Sequence, residues 1–560
     1  MVPAGQSRPV TNLRAALASP WLPAVLLFLA AFALYWATRT SANTFDAVSY
    51  ANQIAHLYPR TGDPHWLFHP HHLLFNATGY VLWQAARLCG YSGGSLAVLQ
   101  SLNSVLGASG VTLYYFTLRG LLQRSRGLPL LISLGLGLSF GYWICATDGR
   151  VNMPSVFLML AAFSLLTRMM ATPRASLAAL TGLLAGGAVL FHESAGLFVV
   201  VGAAGILLSK AGWKLRGQAA AAYIAVWGLT AALPYLVVGI LVLHLYSPAA
   251  FHAWTSEYTE LGWWWDFRIL HNLGSDFYAF RHAGFVEPGS RPSTFTLSGH
   301  LPALLLGFYW VSVLGWLAAA SLILTSLPQL WRSPSRGLAL VLAVWITAYA
   351  AFFTVWSPGY FVFWVPVLVP ASTLLALTLA HYRARRGGRI ANWLLGIWIA
   401  VYAALNLQVS ILPHLAPSSD PFRRIAADVR AHTQFGDRVL VAGAGDGGPC
   451  EVALPYFADR DVISLHGLLT TKRGNKAAAL LLAQSEISSV LASGHAVYAL
   501  DDVVPTHNAK ALAALSAKHA LMEADLKTLL SPYVRTLAWE SGRGPVWRLM
   551  LRKKLPVQSG

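Results

Sequence analysis

Acidic residues are scarce in this chain. Only 22 of 560 residues are Asp or Glu, and charged residues of both signs make up 11%, where soluble domains carry about 25%. The scarcity is uneven, with 9 acids in residues 1–414 and 13 in residues 415–560. With 56% hydrophobic residues, that distribution excludes a wholly soluble protein. The first part reads as membrane and the last part as an ordinary globular domain. Cysteine is nearly absent too. Cys89, Cys145 and Cys450 lie far apart, which argues against a thiol metal cluster or a disulfide framework and leaves a Cys89–Cys450 bridge as the one conceivable pairing. A one-sided basic patch is also missing. The net charge is +18, but the basic residues sit in short loops between apolar runs, so nucleic acid is not an expected partner.

What is present is a series of long apolar runs. A membrane helix needs roughly 20 apolar residues, and stretches of that kind fall at 21–38, 96–118, 128–146, 152–170, 175–191, 194–209, 218–245, 301–329, 337–356, 359–380 and 391–412. The run from Trp21 follows a basic, Ala-rich start and lacks a small-residue cleavage site, so it reads as a signal anchor. The 72–88 stretch is shorter and amphipathic, either a further span or an interfacial helix. Charge decides. With the N-terminus cytoplasmic and 72–88 not crossing, the basic connections (Arg119, Arg124 and Arg126; Arg168 and Arg174; Lys210, Lys214 and Arg216; Arg332 and Arg336; Arg383, Arg385, Arg386 and Arg389) all face inward. All nine acids of residues 1–414 then face outward. This is the positive-inside pattern held over every loop. The expected fold is therefore an α-helical polytopic membrane protein of about eleven transmembrane helices, over residues 1–414, with an extracytoplasmic α/β domain over 415–560. The expected location is the plasma membrane of the cell, the inner one where there are two.

Within 415–560, RRIAADVRAHTQFGD reads as a helix, and RVLVAGA, DVISL, AVYALDD and GPVWRLMLRKK read as strands. Gly443, Gly445 and Gly448 match the spacing of a dinucleotide-binding loop. The topology places them outside the cell and no acid falls at a clear second-strand end, so the match reads as a glycine-rich turn. The long outer loop 246–300 is aromatic. Its Trp263, Trp264 and Trp265 suit an interfacial anchor, and a lid over a lipid-substrate cavity is the sharper alternative.

The first outer loop, 39–95, concentrates the chemistry. Asp46 follows the first span directly, where a carboxylate is either a general base or the N-cap of the helix after it. Tyr50 is grouped with the substrate contacts. His65, His69, His71 and His72 crowd the loop's end, where imidazoles donate to phosphate, shuttle protons or bind metal. Their HxH spacing alone is a weak metal signal, and polar packing around Pro70 explains them equally. A divalent metal ion is left open. In the next outer loop Asp148 and Arg150 are pinned between two spans, as a turn pair or as a phosphate site. His192 and Glu193 either line the same cavity or cap the following helix at Glu193. Pro358 and Gly359 make a tight outer turn, and Trp356 and Tyr360 beside it either contact a lipid-linked ligand or belong to an interfacial aromatic belt.

Asp46 just after the first span, the FHPHHLLFNATGYVLW segment, LQSLNSVLGASGVTLYYFTLR and ATDGRVNMPSVFLMLAAF together resemble the GT-C glycosyltransferase superfamily, nearest its bacterial protein-mannosyltransferase-like branches, over roughly residues 20–210. The single Asp46 departs from the Asp-Glu pair of protein O-mannosyltransferases, and HPHH departs from their HPPL. The resemblance implies an inverting transfer from a polyprenyl-phosphate sugar to a protein, lipid or glycan acceptor. It makes Asp46 the base, Asp148 the group that positions the acceptor or a metal ion, and Arg150 with a loop histidine the partners of the leaving phosphate. A transporter or flippase is the alternative; the absence of an internal repeat and the rim position of the ionisable groups count against it. A non-catalytic envelope scaffold leaves the polar grouping unexplained.

Overall fold

The structure, a computed structural model, describes residues 21–123, 125, 127–256, 264–286, 303–386, 389–444, 448–472, 475–504 and 509–552. Among the described residues, each apolar stretch expected to span the membrane is mainly helical. Seven helices among the described residues are long and apolar enough to cross: Ser95–Leu121, Asn152–Ala171, Trp213–Val242, Ala303–Trp331, Arg336–Phe353, Phe361–Tyr382 and Ile390–His414. The pair Gly127–Gly137 and Phe140–Thr147, bent by 64°, makes an eighth if it counts as one span. Trp21–Ala37, Ala175–Phe191 and Glu193–Leu207 are apolar but shorter, at 10–17 residues. At 1.5 Å per residue such helices reach about 26 Å at most, less than a hydrocarbon core of about 30 Å. The 72–88 stretch forms the 14-residue helix Phe75–Leu88, which buries Phe75, Asn76, Gly79 and Trp83 and is not among the helices apolar enough to cross.

The chain divides into two compact units. The first holds residues 1–40, 63–93 and 97–415, and the second holds 41–62, 94–96 and 416–560. The later boundary falls near the one read from sequence. The second unit, however, takes in residues 41–62 and 94–96, which a linear split at residue 414 leaves with the membrane part.

In the first unit, backbone groups freed by bends are met by polar side chains, as an apolar surround requires. At the bend of the Gly127–Thr147 pair, Asn406 Nδ2 donates to Leu138 O at 3.0 Å and Ser139 Oγ donates to Leu136 O at 2.6 Å. Helix Ala175–Phe191 lies close against Trp213–Val237. A Cβ on Gly182 would come within 2.5 Å of Tyr223 O, and one on Gly186 within 2.8 Å of Trp227 O. Only glycine at this four-residue spacing lets the two backbones approach so nearly.

The second unit carries a five-stranded sheet: β1 (Arg438–Val441), β2 (Val462–Ser464), β3 (Val497–Ala499), β4 (Tyr533–Ser541) and β5 (Gly544–Leu551), in the order β2-β1-β3-β5-β4. The first three strands are parallel, and β5 joins β3 and β4 antiparallel. Helix Pro421–His432 packs on this sheet through Phe422, Ile425, Ala426 and Val429. Asp420 caps it, accepting from the Phe422 amide at 2.8 Å. The loop segment is tied into the same unit by polar contacts. Arg60 pairs with Asp459 and, at 3.2 Å, with Asp461, and Arg423 donates to Asn43 Oδ1 at 2.7 Å. Cys89, Cys145 and Cys450 are all free thiols, so the Cys89–Cys450 bridge is not formed.

Candidate functional site

Asp148 and Arg150 are held by a neighbouring helix. They follow the C-terminus of Phe140–Thr147, where the last carbonyls have no partner within the helix. Helix Ser95–Leu121 supplies the donors. Ser104 Oγ donates to Ala146 O at 3.0 Å and Gln100 Nε2 to Thr147 O at 3.1 Å. Asn103 Nδ2 donates at 2.7 Å to both Asp148 O and Arg150 O. The backbone is thereby fixed on both sides of Gly149. The side chains then pair: Arg150 Nε donates to Asp148 Oδ2 at 3.1 Å, and the Gly149 amide donates to Asp148 Oδ1 at 2.9 Å. Asp148 is 1% exposed and Arg150 4%. Arg150 also donates to the Tyr360 hydroxyl at 3.3 Å. The turn-pair and functional readings of these residues are therefore both compatible with the geometry, and Tyr360 joins them.

The loop histidines form a second group. His69 and His72 stack with centroids 4.5 Å apart, and His71 lies 5.4 Å from His69. His71 Nδ1 meets Glu193 Oε1 at 2.6 Å. The Tyr235 hydroxyl donates to Pro70 O at 2.6 Å and holds the turn. The cap of the helical turn Glu193–Leu197 is His192, whose Nδ1 accepts from the Ser194 amide at 3.3 Å. Of the two readings left open by the sequence, the cap at Glu193 is not the one formed: His192 caps the turn and Glu193 meets His71. Burial is the main force on these rings. It holds His69 down to about 3, His192 down to about 4 and His72 well below the ordinary value, with neighbouring imidazoles adding to the depression. At neutral pH these three rings are uncharged donors and acceptors. Phe363 bridges the two groups, 5.7 Å from the His192 ring and 5.1 Å from the Tyr360 ring.

His65 does not join them; it is exposed and turns to Asp63 at 2.8 Å. The Ser357–Gly359 turn is tight as expected, with φ of 51° at Ser357 and 86° at Gly359. Trp265 stacks edge-on against Trp356 at 4.8 Å. Trp263 lies outside the described residues.

Asp46 and Tyr50 lie in the second unit, on helix Phe45–Asn52. The cap of that helix is Thr44, whose Oγ1 accepts from the Ala47 amide at 3.4 Å. Asp46 sits in the first turn, so capping does not account for it. Both side chains are half-buried, and four residues apart they share one helix face.

Four residues of consequence escaped the sequence reading. Gln100, Asn103 and Ser104 fall at helical spacing in a 27-residue apolar helix. Polar groups repeated on one face of such a helix were the available signal. Asp276, on helix Ile269–Gly284, is 4% exposed. Burial raises its carboxyl, and the nearby Thr354 hydroxyl and Gly359 amide partly offset this. Among the described residues no group of three or more His, Cys, Asp or Glu is arranged to hold a metal ion.

No family model and no curated protein matches this sequence. Solved structures do. ArnT from Cupriavidus metallidurans bound to undecaprenyl phosphate matches with a TM-score of 0.54 at 14% identity, over 94% of this chain and 97% of that one. The same protein in its apo state gives 0.51 at 14% identity, with the same coverage. The Archaeoglobus fulgidus oligosaccharyltransferase, in complex with Zn and sulfate, gives 0.52 at 13% identity, over 93% of this chain and 72% of that one. The chain has the GT-C fold. The GT-C likeness covers both units, where the sequence resemblance stopped near residue 210. At this identity it carries architecture alone, and the chemistry rests on the residues described above.

Proposed function

We propose that this protein is an inverting glycosyltransferase that moves a sugar from a polyprenyl-phosphate donor to an acceptor hydroxyl on the extracytoplasmic side of the membrane. The observation that carries the reading is the buried Asp148–Arg150 pair, joined by the half-buried Tyr360, of a GT-C fold whose solved neighbour holds undecaprenyl phosphate. In this mechanism Asp46 accepts the proton of the acceptor hydroxyl. The acceptor oxygen bonds to the anomeric carbon as the carbon–oxygen bond to phosphate breaks, and polyprenyl phosphate leaves. Arg150, preorganised by Asp148 and Tyr360, supplies positive charge where the phosphate gains negative charge. Asp148 orients Arg150 and the acceptor. His69, His71, His72, His192 and Glu193 form a polar wall that donates hydrogen bonds without carrying a fixed positive charge on its buried rings. The acceptor is a protein, lipid or glycan hydroxyl, and the C-terminal α/β part faces the same side as Asp46. Multi-pass insertion with a cytoplasmic N-terminus follows from the arginine distribution.

The test is transfer of labelled sugar from a panel of polyprenyl-phosphate donors in proteoliposomes, with the anomeric configuration of the product read by NMR. The reading requires release of polyprenyl phosphate and an inverted anomeric centre. A product with retained configuration contradicts it.

A further inference from the structure

The sheet of the second unit gathers side chains that the transferase mechanism leaves unused. From β1 the chain passes to β2 on one side, then returns across β1 to β3 on the other. Parallel strands that diverge in this way open a crevice outside their carboxyl ends, between β1 and β3. The residues just beyond those ends are Ala442 and Gly443 after β1, Ser464 and His466 at β2, and Asp501 and Asp502 after β3.

Asp502 is 7% exposed. Its Oδ2 accepts from the Ala442 amide at 3.1 Å, across the point where the strands diverge. Its Oδ1 is buried and has no hydrogen-bond partner among the described residues. Buried carboxylate oxygens are rarely left so, because the group loses water and gains nothing in return. Gly443, at φ +69°, brings further polar groups against the backbone. A Cβ there would lie 2.3 Å from Ser464 Oγ, 2.9 Å from Glu451 Oε2 and 3.1 Å from His466 Cβ. Ser464 Oγ in turn accepts from the Gly467 amide at 3.0 Å. His466 Nδ1 meets His519 Nε2 at 2.8 Å, and Lys518 adds a charge near Glu451. A glycine turn that merely closed a core would bring apolar side chains to this place.

The set selects its ligand by chemistry. Three carboxyl groups, Asp501, Asp502 and Glu451, outnumber the two cations, Lys518 near Glu451 and Arg543 near Asp502, which disfavours a phosphate. The open oxygen of Asp502 requires a donor. Burial pushes both Asp502 and Glu451 up to about 7, so near neutral pH each can also donate. Neighbouring hydroxyls, which donate and accept, fit such groups. We infer that this crevice binds the vicinal diol of a sugar ring, with Asp502 Oδ1 accepting from one hydroxyl and the Glu451–Ser464 pair engaging the other. The inference stands apart from the transferase reading, and either can fail without the other. Two sources carry this chemistry: a monosaccharide or glycan end, and the ribose of a nucleoside.

The experiment titrates the full-length protein in detergent micelles with D-mannose, D-glucose and D-galactose, and separately with adenosine and uridine. Binding is read by saturation-transfer NMR and calorimetry. Asp502→Asn keeps an acceptor for the Ala442 amide and places an NH2 where the open oxygen stood. Saturable binding of at least one probe is expected, weakened at least about 10-fold in Asp502→Asn, as loss of a charge-assisted hydrogen bond entails. Response to the hexoses assigns a glycan ligand; response to the nucleosides alone assigns ribose. Glu451→Gln, which preserves shape, is expected to weaken binding as well and decides the matter should Asp502→Asn fail to fold. No saturable binding of any probe at tens of millimolar, or binding unchanged in the folded variants, overturns the inference.

Discussion

Replacing Asn103 with leucine should disable the site while sparing most of the fold. The side chain is fully buried, and its one amide group serves two carbonyls, those of Asp148 and Arg150, at 2.7 Å each. Leucine is close in size and donates nothing. Each carbonyl left unsatisfied costs about 1–3 kcal/mol, so the substitution should destabilise by about 2–6 kcal/mol, nearer the lower figure if the loop relaxes toward water. Relaxation carries its own penalty. The Asp148–Arg150 segment would move, and a displacement on the order of 1 Å at a reacting centre costs about 100-fold in rate. The assay is paired: thermal melting by intrinsic tryptophan fluorescence, and sugar transfer from the donor found active. A lowered melting temperature with transfer reduced about 100-fold is expected. A variant that melts and turns over like wild type would refute the role assigned to Asn103 and the claim that this helix positions the site.

Other substitutions probe other parts of the account. Gly182→Leu should prevent stable folding of the first unit, because its side chain would enter the Tyr223 backbone; expression and size-exclusion profiles check this. Arg150→Lys keeps the charge but loses the forked geometry shared between Asp148 and Tyr360. It should lower kcat by at least about 10-fold with little change in melting temperature. In the second unit, Asp502 and Glu451 titrate higher when folded than when unfolded. Their contribution to stability is fully present below about pH 4 and is lost as pH rises through about 7. Asp502→Asn should therefore flatten the fall in melting temperature between pH 5 and pH 8, relative to wild type. His69 and His192 titrate lower when folded, so their contribution is present above about pH 6.5 and is lost as pH falls through about 3 for His69 and about 4 for His192. His69→Gln should reduce the acid sensitivity of the first unit's melting.

The helices were legible because continuous apolar runs leave the chain no alternative. Strands β1, β2 and β3 were legible for a related reason: each is a short run with nearly every residue buried. Strand β4 was not. Residues Val534 to Ala538 are exposed, so no burial pattern marks it, and its pairing with β5 defines it. The bend at Leu138 and Ser139 was equally hidden. A serine is weak evidence of a break, and what sustains it is Asn406, 268 residues away.

The candidate site was legible in its residues and not in its grouping. Asp148, Arg150 and the histidines announced themselves as polar groups beside apolar helices. That His71 would meet Glu193 rather than leave it as a cap depends on how two separate loops fold together. Asp276 was missed because a single acid on an amphipathic loop helix looks solvated. Its burial comes from the turn at Thr354 to Gly359, which no local pattern reveals. The placement of Asp46 in the second unit follows from ion pairs such as Arg60 with Asp459 and Asp461, whose partners lie some 400 residues apart in sequence.

The central claim is that Asp46 is the base of a sugar transfer. The measurement is the rate of transfer from a polyprenyl-phosphate sugar in proteoliposomes, wild type against Asp46→Asn, with both proteins shown to melt alike. The account predicts transfer by wild type and a loss of at least about 100-fold in the variant, the scale of general-base catalysis. Transfer that survives the substitution unchanged would contradict it.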